Sequence, residues 1–186
     1  MKGVIFNLFE EFIVETFGDE AWEKILDASP HEAREVRVGP LTYPDGHLLH
    51  LVGAACEVSG LPPEKAVRAF GRFLFGGLAR KYPGIASQFA GPREMLQGID
   101  SVIHVEVNKL LPGAETPRVL CQEHDDGSLT LTYESSRKMC TLLEGLLDGL
   151  EAHYGVTVER RHDVCMHQGA PRCELRLTFS AARAAA

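Results

Sequence analysis

The strongest constraint on this chain is a change of hydrophobic period near Pro112-Gly113. Before that point apolar residues recur every three or four positions, the period of helices packed by one face. Ile5, Leu8, Phe9, Phe12, Ile13 and Phe17 form the first such stripe, closed by Gly18. A short helix around Trp22, Ile25 and Leu26 follows, then a break at Gly39-Pro40. Asp45 opens another helix through Leu48, Leu51, Val52, Ala55 and Val58, with Gly60 as its stop. Pro62-Pro63 starts a long one through Val67, Phe70, Leu74, Phe75 and Leu78. The spacing predicts a last unbroken helix from near Pro92 through Met95, Leu96, Ile99, Val102, Ile103 and Leu110.

After Pro112-Gly113 the period drops to two, which is that of strands. Val119 to Cys121 and Leu129 to Tyr133 flank the turn Asp125-Asp126-Gly127 and read as a hairpin. A helix from about Arg137 to His153 intervenes, and strands over Val156 to Arg161 and Cys173 to Phe179 complete the pattern. In the last strand Cys173, Leu175, Leu177 and Phe179 share one face. The fold class is therefore α+β: a helical N-terminal lobe joined to a mixed lobe with a four-stranded antiparallel sheet.

With 186 residues, 45% hydrophobic and 24% charged, the chain can bury one core or a core split in two. A net charge of -7 disfavours nucleic acid and anionic membrane surfaces as partners. No apolar run approaches the roughly 18 residues of a membrane helix. Acidic residues interrupt the signal-like start MKGVIFNLFEEF, so a cytoplasmic location is the expectation. Five cysteines, an odd number, point to metal binding or free thiols rather than a disulfide framework. Cys56 and Cys121 read as single core or surface residues.

Three groups of residues carry chemistry. His104, in IDSVIHVEVNKLL, lies beside the buried stripe Ile99, Val102, Ile103 and Leu110. A neutral imidazole on a rigid helix suits a haem iron, and it also suits an ordinary core or surface histidine. Tyr133, Ser135 and Arg137 fall on one side if the strand extends so far, giving two hydroxyls and a guanidinium for a pair of carboxylates. The other reading is a polar strand end, with Ser135 or Ser136 capping the next helix. The run HDVCMHQGAPRC supplies His162, Cys165 and Cys173, to which Cys140 adds a fourth ligand. Three thiolates and one imidazole make a closed, structural zinc site, with His167 a competing ligand and buried unreactive cysteines the alternative. Zinc thiolates also oxidise, which allows a secondary redox response.

Taken together, these motifs resemble the H-NOX family, the haem nitric oxide/oxygen-binding domains related to the haem domain of soluble guanylate cyclase. The resemblance rests on Met1-Lys2-Gly3, on His104, on Pro117, and on Tyr133-x-Ser135-x-Arg137, and it covers essentially the whole chain. It implies haem b held between a distal helical subdomain, residues 1–61, and a proximal subdomain, residues 62–180, with 181–186 as a tail. His104 would ligate the iron, Pro117 would pack on the haem, and Tyr133, Ser135 and Arg137 would hold its propionates. Some oxygen-excluding bacterial members are similar in having a zinc site, which the cysteine-rich loop matches.

The resemblance also bears on which gas is taken up. Oxygen-binding members carry a tyrosine in the helix after the triad, at the position of Leu142. Ile5, Phe9, Leu74 and Leu146 complete an apolar distal wall in this reading. A donor to bound oxygen, which carries partial negative charge, contributes about 1.5–3 kcal/mol, or about 10- to 150-fold in affinity. Without it the family pattern implies nitric oxide and carbon monoxide as ligands and discrimination against oxygen. Signalling would run through weakening of the iron–His104 bond and a small lobe rotation about Gly71. The output would lie in a separate partner, such as a histidine kinase or a cyclic-di-GMP enzyme. A haem-free, zinc-stabilised small-molecule module similar to the V4R domains is the rival, but it leaves His104 and the triad without a role. A haem peroxidase or dioxygenase is disfavoured because no distal acid–base group is at hand. A binding module, not an enzyme, is the expectation.

Overall fold

Eight α-helices and a four-stranded antiparallel sheet make up residues 1–181, the part of the chain described by the computed structural model. The helices are α1 (Gly3–Phe17), α2 (Asp19–Ala28), α3 (Asp45–Ser59), α4 (Pro63–Lys81), α5 (Pro83–Ala86), α6 (Pro92–Gln97), α7 (His104–Leu110) and α8 (Cys140–Tyr154). The strands are β1 (Arg118–Glu123), β2 (Leu129–Glu134), β3 (Val156–Val164) and β4 (Cys173–Ala181), in the order β1-β2-β4-β3. Gly60 ends α3 with φ 70°, the left-handed cap that a side chain would disfavour.

The register explains the sheet's buried face. Leu131 stands opposite Cys121 on β1 and Leu175 on β4, while Tyr133 stands opposite Val119 and Cys173. Leu129, Leu131, Leu175 and Leu177 are fully buried and pack with Leu143, Leu147 and Leu150 of α8. A second core forms among the N-terminal helices, from Leu8, Phe9, Phe12, Ile13, Ile25, Leu48, Leu51, Phe70 and Leu74. Each such side chain contributes about 1.5–3 kcal/mol relative to exposure. Two helices serve both cores. Phe70 and Leu74 of α4 enter the N-terminal core while Phe75 packs on the other, and α8 divides Leu142 and Leu146 from Leu143 and Leu147 in the same way. The two helices cross at Gly71 and Gly145, where a Cβ on Gly71 would come within 2.5 Å of the Leu142 carbonyl oxygen.

Several sequence expectations change. The predicted helix from Pro92 to Leu110 breaks after Gln97 into a π-helical turn, Ile99–Ile103, before α7 begins. Both Val102 and Ile103 donate their N–H to the Gly98 carbonyl, at 2.9 and 3.0 Å. The wider turn rotates the following face by about one residue. Leu110, expected in the buried stripe, is 51% exposed, and Leu111 takes the buried place at 6%. β2 ends at Glu134, so Ser135 and Arg137 do not continue the strand; Lys138 turns the chain with φ 49°, and α8 starts only at Cys140. That helix begins behind Met139 with no side-chain cap, so neither Ser135 nor Ser136 is its N-cap. β3 and β4 run further than expected, to Val164 and Ala181, so Ala181 belongs to the sheet; the rest of the anticipated tail, 182–186, lies outside the described residues. No helix among the described residues is long and apolar enough to cross a membrane.

Candidate functional site

His104 stands where the chain passes from one core to the other. Ile99 and Ile103 before it pack on the sheet core, while Val107 and Leu111 after it belong to the N-terminal core. The half-buried imidazole is fixed through Nδ1, 2.7 Å from Asp100 Oδ1, and that oxygen also accepts the Val119 N–H of β1 at 3.0 Å. With Nδ1 engaged, Nε2 is the nitrogen available to a metal. Asp100 precedes His104 by four residues, the helical spacing that sets its carboxylate beside the ring. The ring lines a groove of about 570 Å³ together with Asp100, Asn108, Thr116 and Pro117.

Beyond the π-turn, α7 is tied to the N-terminal helices. Lys2, largely buried, donates from Nζ to the carbonyl oxygens of Pro112 at 2.7 Å and Pro40 at 3.1 Å. The following loop is held again at Glu115, whose carbonyl oxygen and carboxylate both accept from Arg137, at 2.9 and 2.8 Å.

The triad comes together through a turn rather than a strand face. Tyr133 is buried, and its hydroxyl accepts the Met139 N–H at 3.2 Å. Ser135 Oγ accepts the N–H of Arg137 at 3.2 Å. The Arg137 guanidinium, 17% exposed, grips the Asp45 carboxylate from Nε at 2.5 Å and from a terminal nitrogen at 3.4 Å. Asp45 also receives the N-terminal amine at 2.6 Å. Burial works against ionising Asp45, but the Arg137 guanidinium and the amine outweigh it and hold its carboxyl below the usual range. Burial is also the main reason that the Tyr133 hydroxyl is pushed up.

The anticipated distal wall lies beside these groups, not in the groove. Phe9 and Leu74 are buried in the N-terminal core, with Ile5, Leu142 and Leu146 half-buried against it. As a donor set the residues fit a haem. His104 offers one imidazole nitrogen to the iron, and Arg137 already binds two carboxylates in the manner that propionates require.

A second centre lies at the N-terminal end of α8. Ligand atoms of Cys140, His162, Cys165 and Cys173 all lie within 4.8 Å of one another. Cys140 Sγ is 3.9 Å from Cys165 Sγ, which is 4.0 Å from Cys173 Sγ. These separations are too long for disulfides. They match the edge of about 3.8 Å of a tetrahedron with zinc–sulfur bonds of about 2.3 Å. His162 Nδ1 is bonded to Glu144 Oε1 at 2.8 Å, and its Nε2 is buried without a hydrogen-bond partner. Burial and the neighbouring Cys173 push the Cys140 thiol up to about 12, and burial raises Cys173 as well, as expected for crowded thiols that a cation would neutralise. The set fits a tetrahedral metal ion. His167 is outside this group; it is exposed, with Nε2 donating to the Lys138 carbonyl oxygen at 2.8 Å. Cys121 is also separate, donating to the Leu96 carbonyl oxygen at 3.3 Å with its thiol pushed up by burial to about 11. Cys56 is half-buried.

Sequence reading missed Asp100, Asp45, Glu115, Lys2 and Glu144. Two had a signal, since Asp100 precedes His104 by four residues and Glu144 follows Cys140 by four. Asp45, Glu115 and Lys2 meet their partners only through long-range packing.

Comparison with known proteins bears on the family and the fold. The profile of the haem-NO-binding family matches residues 2–162. An H-NOX protein from Shewanella oneidensis in its Fe(II)NO ligation state is 34% identical, with a TM-score of 0.91 over 97% of this chain and 99% of that one. An unliganded Fe(II) H-NOX protein from K. algicida is 27% identical, with a TM-score of 0.86 over the whole of both chains. The soluble guanylate cyclase gcy-35 of Caenorhabditis elegans is 29% identical over 143 residues, 74% of this chain, which spans 20% of that relative's length.

Proposed function

The chain belongs to the haem-NO-binding family, and on that premise we propose that it is a sensor of nitric oxide that uses His104 as its iron ligand. The observation that carries this reading is the position of His104, with Ile103 on one core and Val107 on the other. Haem, when bound, supplies the ferrous iron at which nitric oxide and carbon monoxide are taken up. The protein's own residues do the rest. Asp100 fixes the His104 ring and ties it to β1 through Val119. Tyr133, Ser135 and Arg137 serve the propionates, with Pro117 against the haem and Ile5, Phe9, Leu74, Leu142 and Leu146 as the distal wall. That wall offers no hydrogen-bond donor, which supports selection of nitric oxide and carbon monoxide over oxygen.

A change in the hold on His104 moves α7, and α7 is joined to the N-terminal helices by Leu111 and by the Lys2–Pro112 bond. In this reading residues 1–61 are the distal unit and 62–180 the proximal one. A pivot at Gly71 has to carry α8 with it, because Gly71 is pressed on Leu142 and Gly145. Such a two-state device needs a partner that prefers one state. A histidine kinase or a cyclic-di-GMP enzyme in the cytoplasm of a bacterium is the proposed recipient, and no catalysis is assigned to the chain itself. Cys140, His162, Cys165 and Cys173 are proposed to hold a structural zinc ion, and the chain is proposed to be of the oxygen-excluding, zinc-containing type. A haem-free V4R-like module leaves the match to a haem-binding family over residues 2–162 unexplained.

The test is the absorption spectrum of the reduced, haem-loaded protein under air, carbon monoxide and nitric oxide. The reading predicts that both carbon monoxide and nitric oxide shift the Soret band and that air gives no stable oxygen complex. A stable oxygen complex would overturn the selectivity. A spectrum unchanged by nitric oxide would overturn the sensor.

A further inference from the structure

Building on the zinc reading, we infer that Glu144 is the positioning residue of the Cys140/His162/Cys165/Cys173 centre, holding the His162 ring so that Nε2 is left to the metal. The case begins with two periodicities. Cys140, Glu144 and Asp148 recur every four residues on α8, about 6 Å apart along its axis. Val158, Arg160 and His162 recur every two residues on β3, about 6.7 Å apart. The steps nearly match, so helix and strand form a ladder. Glu151 Oε1 accepts the Val158 N–H at 2.5 Å. Arg160 donates to Asp148 Oδ1 at 2.6 Å and to the Glu144 carbonyl oxygen at 2.9 Å. On the last rung Glu144 Oε1 accepts from His162 Nδ1 at 2.8 Å, one helical turn from Cys140.

An ordinary surface ion pair does not account for Glu144. The available cation, Arg68 of α4, is already engaged by Asp148 at 2.7 and 3.0 Å, and it approaches Glu144 only to 3.5 Å. The short bond of the Glu144 side chain is the one to His162. It places the ring proton on Nδ1, because a carboxylate oxygen only accepts. Nε2 is then a lone pair, and this atom is buried with no hydrogen-bond partner. A carboxylate behind a ligating imidazole fixes its tautomer and raises its basicity. Three thiolates around one divalent ion already carry a net charge of about -1, so the second carboxylate oxygen gains from facing Arg68.

The experiment uses the full chain with thiols reduced, comparing the parent with Glu144→Leu and Glu144→Gln. Zinc affinity is read by competition with a chromophoric chelator, and the His162 tautomer by ¹⁵N NMR of the metal-free protein. Glu144→Leu is expected to bind zinc about 10- to 100-fold more weakly and to lose the Nδ1–H preference. Glu144→Gln, whose amide oxygen still accepts from Nδ1–H, is expected to keep the tautomer and to rescue most of the affinity. Equal zinc affinity in the parent and Glu144→Leu would overturn the inference while leaving the zinc centre standing. A parent chain that takes up no zinc would remove the zinc reading itself. The positioning role would then be judged by the tautomer alone, and a parent ring protonated on Nε2 would overturn it.

Discussion

Asp100 Oδ1 lies 2.7 Å from His104 Nδ1 and 3.0 Å from the backbone nitrogen of Val119, so one carboxylate oxygen joins the candidate iron ligand to the first strand of the sheet. The bond orients the ring and ties the start of α7, just after the π-turn, to the sheet. A carboxylate behind a ligating imidazole increases its donor strength. Asp100→Ala is therefore expected to hold haem about 10- to 100-fold less tightly, and Asp100→Asn to lie between the two. Haem transfer to an excess of an apo-acceptor protein measures the difference.

Leu142 packs against the N-terminal core at the position where a hydroxyl donor would alter gas selectivity. Leu142→Tyr is expected to raise oxygen affinity by about 10- to 150-fold, with little change for carbon monoxide. Oxygen and carbon monoxide titrations of the reduced protein check both halves of this prediction.

Gly145 meets α4 so closely that a Cβ there would overlap the Arg68 carbonyl oxygen, a backbone atom that cannot rotate away. Gly145→Ala should cost about 1–3 kcal/mol from overpacking, despite the better helix propensity of alanine. Urea unfolding of the haem-loaded protein reads this as a lower midpoint at unchanged slope.

Acid should loosen the link between Asp45 and Arg137. The folded-state value of Asp45 is lowered from 3.8, so its contribution is fully present above that value and is lost as the pH falls through the folded one. Asp45→Asn is expected to be less stable than the parent at neutral pH. The gap should begin to narrow as the pH falls below about 4 and close only as it passes through the lowered folded-state value, where the Asp45 carboxylate of the parent becomes protonated. Thermal unfolding at a series of pH values tests the convergence.

Much of this architecture is legible in the sequence, for reasons that differ by element. Leu8, Phe9, Phe12 and Ile13 of the first stripe and the alternation Cys173-Leu175-Leu177 are buried in regular geometry as their spacing indicates, whereas Phe17, expected in the same stripe, is 41% exposed. The π-turn was not legible, because the apolar spacing from Met95 to Leu110 suits an unbroken helix equally well. The rotation at this turn exposes Leu110 and buries Leu111. Cys140, His162, Cys165 and Cys173 were identifiable from residue type, and the packing of α8 against β3, β4 and the turn between these strands brings them together. The acidic partners were harder to see. Asp45 and Arg137 are separated by 92 positions, and nothing local in either segment indicates the other.

The most direct test of the central claim is the visible spectrum of the reduced, purified protein beside that of His104→Ala. The parent is predicted to show a five-coordinate ferrous haem at one per chain. His104→Ala is predicted to lose it and to regain it when imidazole is added. A parent chain that binds no haem on reconstitution, or a His104→Ala variant with an unchanged spectrum, would contradict the account.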